Sequence, residues 1–587
     1  MKRLLLLAII ASVSMSAQEP PPPPPPIPDA YWSEARSKEI LDKTITIRLA
    51  PDLSALPQNE QAALKELFEV GAVVQKLYEK QRHPQALEAF EQLRTIDFRN
   101  GSPARTKNLR TLYRLFQGPI ATTLDNKREP FLNVRPPDPG RNMYPADATK
   151  AEIDAFLAAR PEMRDNILDQ RTVVRRETKN SLAGDLQIFT LYPIVRTMHP
   201  FRESFMRSRQ LGADGKSFYA MPYTIAYADE TIEMYNRLIR AALYLEPSDP
   251  ELARYVWNRS RDLLSNDYES GDASWVTGRF QRLNMQLGAY ETYDDALYGV
   301  KAFYSMSILL KNEKATAELA KALGGLQAIE DALPYEPHKR VKEDIPIGVY
   351  EVIADYGQAR GTNTATILPN DPLFARRYGR TILLRENIMR HPELVAATQR
   401  VWRAVTAPEH ANDFDPEGSI QRTLWHEIGH YLGPDGSGLG EYADSAEEMK
   451  SDLVSLFALH KMNHPALRAI QAAGIRRAIV NNKPRPDQAY ETMELIQFNW
   501  FLDKGLLTFD PKTVQLKVAY DKYPETVNSL LREVVKLQHD GNKDAAKAFF
   551  ERWTKWTPDV HEKIAAKVRG AEGASRFRLV MYGALGE

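Results

Sequence analysis

The sequence predicts a predominantly α-helical chain with a smaller α+β part, divided into two or more lobes. Three observations predict it. Apolar residues recur at helical spacing over long segments, one central stretch breaks that pattern, and 587 residues exceed what one compact core holds. The helical segments, in order, are Asn59 to Tyr78, Tyr227 to Leu245, Leu297 to Ala322, Glu447 to Met462, Tyr490 to Leu502 and Pro524 to His539. The exception is Ile345 to Leu384. It carries β-branched clusters at Ile345 to Ile353 and Thr364 to Leu368, a glycine-containing break at Gly357 to Gly361, and the run Pro369-Asn370-Asp371-Pro372. Short strands joined by turns are expected there. No fixed repeat period is present, which argues against a helical-repeat scaffold.

The N-terminus reads as an export signal. Lys2 and Arg3 precede an apolar run from Leu4 to Val13, and small residues follow to Ser16-Ala17. The run is about half the roughly 20 residues needed to cross a bilayer, and no other stretch is long and apolar enough. Residues 1–17 are therefore read as a signal peptide, after which no stable membrane insertion is expected. Residues 18–30, with the unbroken prolines Pro20 to Pro26, are read as a stiff, extended linker. Residues 31–344 form a mostly helical N-terminal region, and residues 345–587 a mixed segment followed by a helical catalytic region.

Composition narrows the function. Lys plus Arg and Asp plus Glu are both 77, so no excess positive charge is available for a nucleic-acid backbone. There are 0 cysteines, which excludes disulfides and thiolate metal sites. An export signal on such a chain fits a periplasmic or extracellular enzyme.

The chemistry concentrates in Leu424-Trp425-His426-Glu427-Ile428-Gly429-His430, which contains HExxH. On a helix, residues four apart share a face, so His426 and His430 can offer two imidazoles to one ion. Glu427 stands beside them as a general base for a water in an open coordination position. Gly433-Pro434 stops the helix just past the second histidine. Gly429 inside it costs stability and predicts a close approach by another element. A surface helix with two unrelated histidines is the plainer reading.

A third ligand is sought downstream in Glu447-Glu448-Met449-Lys450-Ser451-Asp452. Glu448 and Asp452 are four apart, which suits a metal-bound Glu448 with Asp452 accepting the N–H of a ligand histidine. Ser445 and Glu448 also spell a capping box, S-x-x-E, which would explain Glu448 without a metal. Glu447 is the other carboxylate, read as an outer or solvent-facing group. His460 and His464 are read as surface residues, because Asn463 and Pro465 interrupt their helix.

These motifs resemble the dipeptidyl peptidase III family of zinc peptidases, which pairs HExxH or HExxGH with a later EExxA(D/E)-type motif. Here they read HEIGH, the five-residue form of some bacterial members, and EEMKSD. The segments LGAYETYDDALYGVKA (Leu287 to Ala302), ILPNDP (Ile367 to Pro372), APDLSALPQNEQAALKELFEVG (Ala50 to Gly71) and QFNWFLDKG (Gln497 to Gly505) are similar too, so the likeness spans roughly residues 45 to 550.

The resemblance implies one zinc ion per chain on His426, His430 and Glu448, with Glu427 activating water. It implies that Tyr293 donates a hydrogen bond to the oxyanion of the reacting carbonyl; a core tyrosine on an amphipathic helix is the other reading of that residue. Asn370 would hold the backbone of a peptide substrate. The fold implied has two lobes flanking a wide substrate cleft, with the zinc on the helical lobe. The sequence also departs from the family. A family asparagine falls on Ile367, a substrate-binding histidine on Tyr490, and an arginine on Glu494. Dipeptide release from a free N-terminus is less secure than the metal chemistry. A zinc-dependent peptidase is expected; a non-peptidase amide or ester hydrolase, or an inactive zinc-containing peptide-binding protein, are the alternatives.

Overall fold

A computed structural model describes residues 24–322, 324–341, 346–361, 364–368, 372–434, 438–480 and 489–587. The signal sequence and Asn370 lie outside the described residues. Helices dominate, and one sheet of five strands is the largest β element. No helix among the described residues is long and apolar enough to cross a membrane.

The five strands lie in the order Leu283–Glu291, Phe303–Lys311, Ile347–Gly357, Thr381–Arg385, Ala365–Leu368. Neighbours run antiparallel, except that Thr381–Arg385 is parallel to Ile347–Gly357. The sheet stands between two large cores. On Thr381–Arg385, Leu383 points into one core, while Ile382 and Leu384 point into the other. Alternation along a strand delivers successive side chains to opposite faces, and here both faces are buried, which explains the unbroken apolar run Ile382-Leu383-Leu384.

The first core packs the helix Gln58–Arg82 and the helices Ala228–Leu245 and Pro250–Ser265 against the sheet. Its residues include Leu67, Val74, Leu238, Met306 and Val352. The second core is helical. Trp402, Trp425, Leu453, Ile475, Phe498 and Leu530 come from six successive helices, among them Pro416–Gly429 and Ala443–Lys461. The early strand Thr44–Leu49 pairs in parallel with the late strand Phe577–Tyr582, and Ile47, Leu49, Val580 and Tyr582 join the first core. The end of the proline-rich segment is tied down: Ile27 packs on the cluster of Tyr31 and Trp32, and Asn100 Nδ2 donates to the Pro25 carbonyl at 2.9 Å.

Five of the six expected helical segments are helices, namely Gln58–Arg82, Ala228–Leu245, Ala443–Lys461, Ala489–Asp503 and Tyr523–Asp540. The sixth is corrected. Leu297 to Ala322 is a turn, the strand Phe303–Lys311, and then the helix Glu313–Ala322. The strand lies inside the sheet with nearly every side chain covered. A short apolar run buried on both faces has no period that separates strand from helix. The mixed stretch holds its three strands as expected, with the helix Pro372–Tyr378 between two of them.

Candidate metal centre

The helix Pro416–Gly429 opens on Asp415, whose Oδ1 accepts the N–H of Glu417 at 2.9 Å, and Pro416 takes the first position, where its missing N–H is harmless. Leu424, Trp425 and Ile428 sink into the second core. The histidines are thereby turned toward the helix Ala443–Lys461. A Cβ on Gly429 would lie 2.5 Å from the Ser451 carbonyl oxygen and 2.8 Å from its Cα. The glycine is what lets the two helices close, and it answers the approach predicted from sequence.

The rings of His426 and His430 stand 5.0 Å apart, nearly perpendicular at 86°. Glu448 Oε2 lies 3.1 Å from His426 Nε2 and 3.7 Å from His430 Nε2. One donor atom from each of the three residues falls within 4.8 Å of the others, the only such group of three or more among the described residues. Two imidazoles and a carboxylate closing on one point are a donor set that fits zinc.

Each ring is steadied at its other nitrogen. His426 Nδ1 donates to Asp452 Oδ1 at 2.7 Å. The second oxygen of Asp452 accepts from Arg422 Nη2 and, at 3.2 Å, from Gln497 Nε2. His430 Nδ1 lies 3.0 Å from Glu447 Oε1 and 2.8 Å from Ser451 Oγ. Glu447 also takes Lys450 Nζ at 2.7 Å and Gln538 Nε2 at 3.0 Å.

The electrostatics follow this wiring. Burial works against an imidazolium at His426, but the hydrogen bonds to Asp452 and Glu448 push it up to about 9. Burial would raise Glu447, yet Lys450 and His430 hold it down at about 2. Asp452 and Glu448 are likewise held below the usual carboxylate range by the groups they bond, against their burial.

The capping box does not form. The helix begins at Ala443 with Tyr442 at its N-cap and no side-chain cap, so Ser445 and Glu448 stand within it. Glu427 is half-buried beside the two histidines. Tyr490, 42% exposed, hydrogen-bonds Glu448 through its hydroxyl, and its ring lies 6.2 Å from that of His426.

Tyr293 is not a core residue on a helix. It is 82% exposed in the turn after the strand Leu283–Glu291. Its phenol is raised by burial around the hydroxyl, by Glu291, which it hydrogen-bonds, and by the charge of Glu448. The preceding strand slips register between Ala289 and Glu291, which re-aims the chain there. The turn is pinned by the residues that follow. Tyr78 Oη donates to Asp294 Oδ2 at 2.8 Å, and Asp295 accepts the backbone N–H groups of Leu297, Tyr298, Val300 and Lys301 at 3.0 to 3.2 Å.

Sequence reading missed Arg422, Ser451 and Arg477. Arg422 is four residues before His426 and so shares its face; that spacing was a usable signal. Arg477 had none. It comes from the helix Leu467–Val480, pairs with the buried Glu494, and lies 5.2 Å from the Tyr490 ring centroid. A cation thus stands beside Tyr490 although position 494 carries an acid. His460 is exposed and His464 half-buried, and neither adjoins the metal group.

Comparison with known proteins agrees with this architecture. No family model matches the chain. The structure of dipeptidyl peptidase III from Caldithrix abyssi is 23% identical, with a TM-score of 0.78 over 94% of this chain and 99% of that one. The structure of dipeptidyl peptidase III from Corallococcus sp. strain EGB is also 23% identical, with a TM-score of 0.74 over 96% and 99%. The fold is therefore that of the dipeptidyl peptidase III structures: mainly helical, with a smaller sheet part. Among characterised sequences, Nudix hydrolase 3 of Arabidopsis thaliana is 24% identical over 457 residues, 73% of this chain and 55% of that protein. The chain spans about half the length of that relative.

Proposed function

We propose that this protein is an exported zinc-dependent peptidase of the dipeptidyl peptidase III type, with one zinc ion per chain on His426, His430 and Glu448. The observation that carries the reading is the convergence of those three donors beside Glu427, in a fold shared with two dipeptidyl peptidase III structures. Zinc bound there would supply a Lewis acid and lower the pKa of its water. Glu427 would accept a proton from the attacking water and pass it to the leaving amine. Tyr293 donates its hydroxyl to the carbonyl oxygen as charge develops on it. Asp452 and Glu447 fix the two imidazole rings, and Tyr490 holds Glu448. Asn370 and Tyr490 position the peptide backbone in a cleft between two lobes, one built on each core.

The test is metal analysis with hydrolysis of a mixed peptide library by wild type and Glu427→Gln. One zinc per chain in both, with turnover reduced by at least ~10²-fold in the variant, is the expected result. Unchanged turnover removes Glu427 from the chemistry. Zinc without cleavage by either form overturns the peptidase reading.

A further inference from the structure

Behind the metal-bearing helix lies a second cavity, of about 200 Å³, walled by the helices Pro392–Val405, Pro416–Gly429 and Leu467–Val480 and by the strand Phe577–Tyr582. Four arginines, Arg422, Arg476, Arg477 and Arg578, line it together with the hydroxyls of Ser419 and Thr423, and no acidic side chain does. Two of the four are engaged elsewhere: Arg422 with Asp452, and Arg477 with Glu494. Arg476 and Arg578 make no ion pair among the described residues; Arg476 lies over the face of Phe414, 6.0 Å from its ring centroid.

Two donors in this wall are orphaned. Nε of Arg476 and Nε of Arg422 are sealed from solvent with no hydrogen-bond partner, and Arg422 as a whole is only 4% exposed. A buried N–H left unpaired is destabilising, so a partner of opposite polarity is expected. Arg476 is pushed down to about 10 by its burial and by the charge of Arg477, which outweigh the nearby carboxylates of Glu494 and Glu572. Guanidinium groups are the side chains best matched to planar or tetrahedral oxyanions. At roughly 30 Å³ per water, the cavity has room for such a group with part of its hydration.

We propose that this cavity is an oxyanion-binding site, taking a carboxylate or phosphate group on Arg476 and Arg578 with the Nε–H of Arg422 behind them. Arg578 is exposed and Arg476 half-buried. Arg422 also carries Asp452, which carries His426, so the bound anion shares a guanidinium with the support of the metal centre. The site does not depend on the peptidase reading.

Calorimetric titration of the zinc-loaded full chain with inorganic phosphate tests it. Saturable binding of one phosphate per chain is expected, weakened at least tenfold by Arg476→Met and by Arg578→Met and unchanged by Arg532→Met, which alters a surface arginine elsewhere. Arg578 is exposed, so its variant remains informative if Arg476→Met fails to fold. Binding that is absent, or equal in all four proteins, overturns the site. Peptides ending in a free carboxylate or a carboxamide separate the sources. Displacement of phosphate by the carboxylate form alone assigns the site to a peptide terminus, and displacement by neither assigns it to a free anion. Phosphate binding in a chain that cleaves no peptide leaves the site standing and removes the peptidase reading.

Discussion

The two histidines of the metal centre are supported in opposite ways. His426 is 5% exposed and fastened to Asp452, which is itself wholly buried and bonded to Arg422 and Gln497. His430 is more open, and its ring nitrogen is shared between Ser451 and the partly exposed Glu447. One side is a sealed chain of charges. The other divides its hydrogen bond between two groups and is half-exposed, although Glu447 also carries the buried Lys450. Loss of a buried charge partner leaves its neighbour uncompensated in a low-dielectric interior, whereas loss of a half-exposed one is repaired by solvent.

The largest expected effect belongs to the residue that joins the two sides. Glu448→Ala should abolish stoichiometric zinc, while Glu447→Ala should retain most of it; metal analysis decides, and the reverse order would place the third ligand at Glu447. Next comes the sealed side. Asp452→Asn should weaken zinc by about 10–100-fold and, by stranding Arg422, destabilise the fold by about 3–5 kcal/mol, read in competitive chelation and urea denaturation. A loss no greater than that of Glu447→Gln would end the asymmetry. Gly429→Ala strikes both sides at once, since the added methyl meets the Ser451 backbone; a loss of about 1–3 kcal/mol is expected. Smallest is Ser451→Ala on the His430 side, at about 1 kcal/mol or less, with zinc affinity close to wild type.

The sequence made this centre legible because helical spacing alone brings His426 to His430 and Glu448 to Asp452. Gly429 was legible as a close approach, though not what approached. Arg477 was invisible, since a residue that reaches the site across a helix–helix contact leaves no local spacing behind. The exposed turn of Tyr293 was obscured for a related reason. The strands on either side of it are buried on both faces, so Phe303 to Lys311 gave no two-residue period to contradict a helix. The same burial makes the sheet a partition, with Leu383 facing one core and its neighbours the other, and no pattern within Thr381–Arg385 says which face is which.

The pairing of Thr44–Leu49 with Phe577–Tyr582 bears on when the molecule becomes whole. Nearly the entire chain lies between these strands, so the contact closes a very long loop and gains nothing until the intervening helices are folded. During synthesis the early strand has to wait for a partner made long after it. Arg578 sits on that later strand, so the arginine-lined cavity gains this cation only once the long loop has closed.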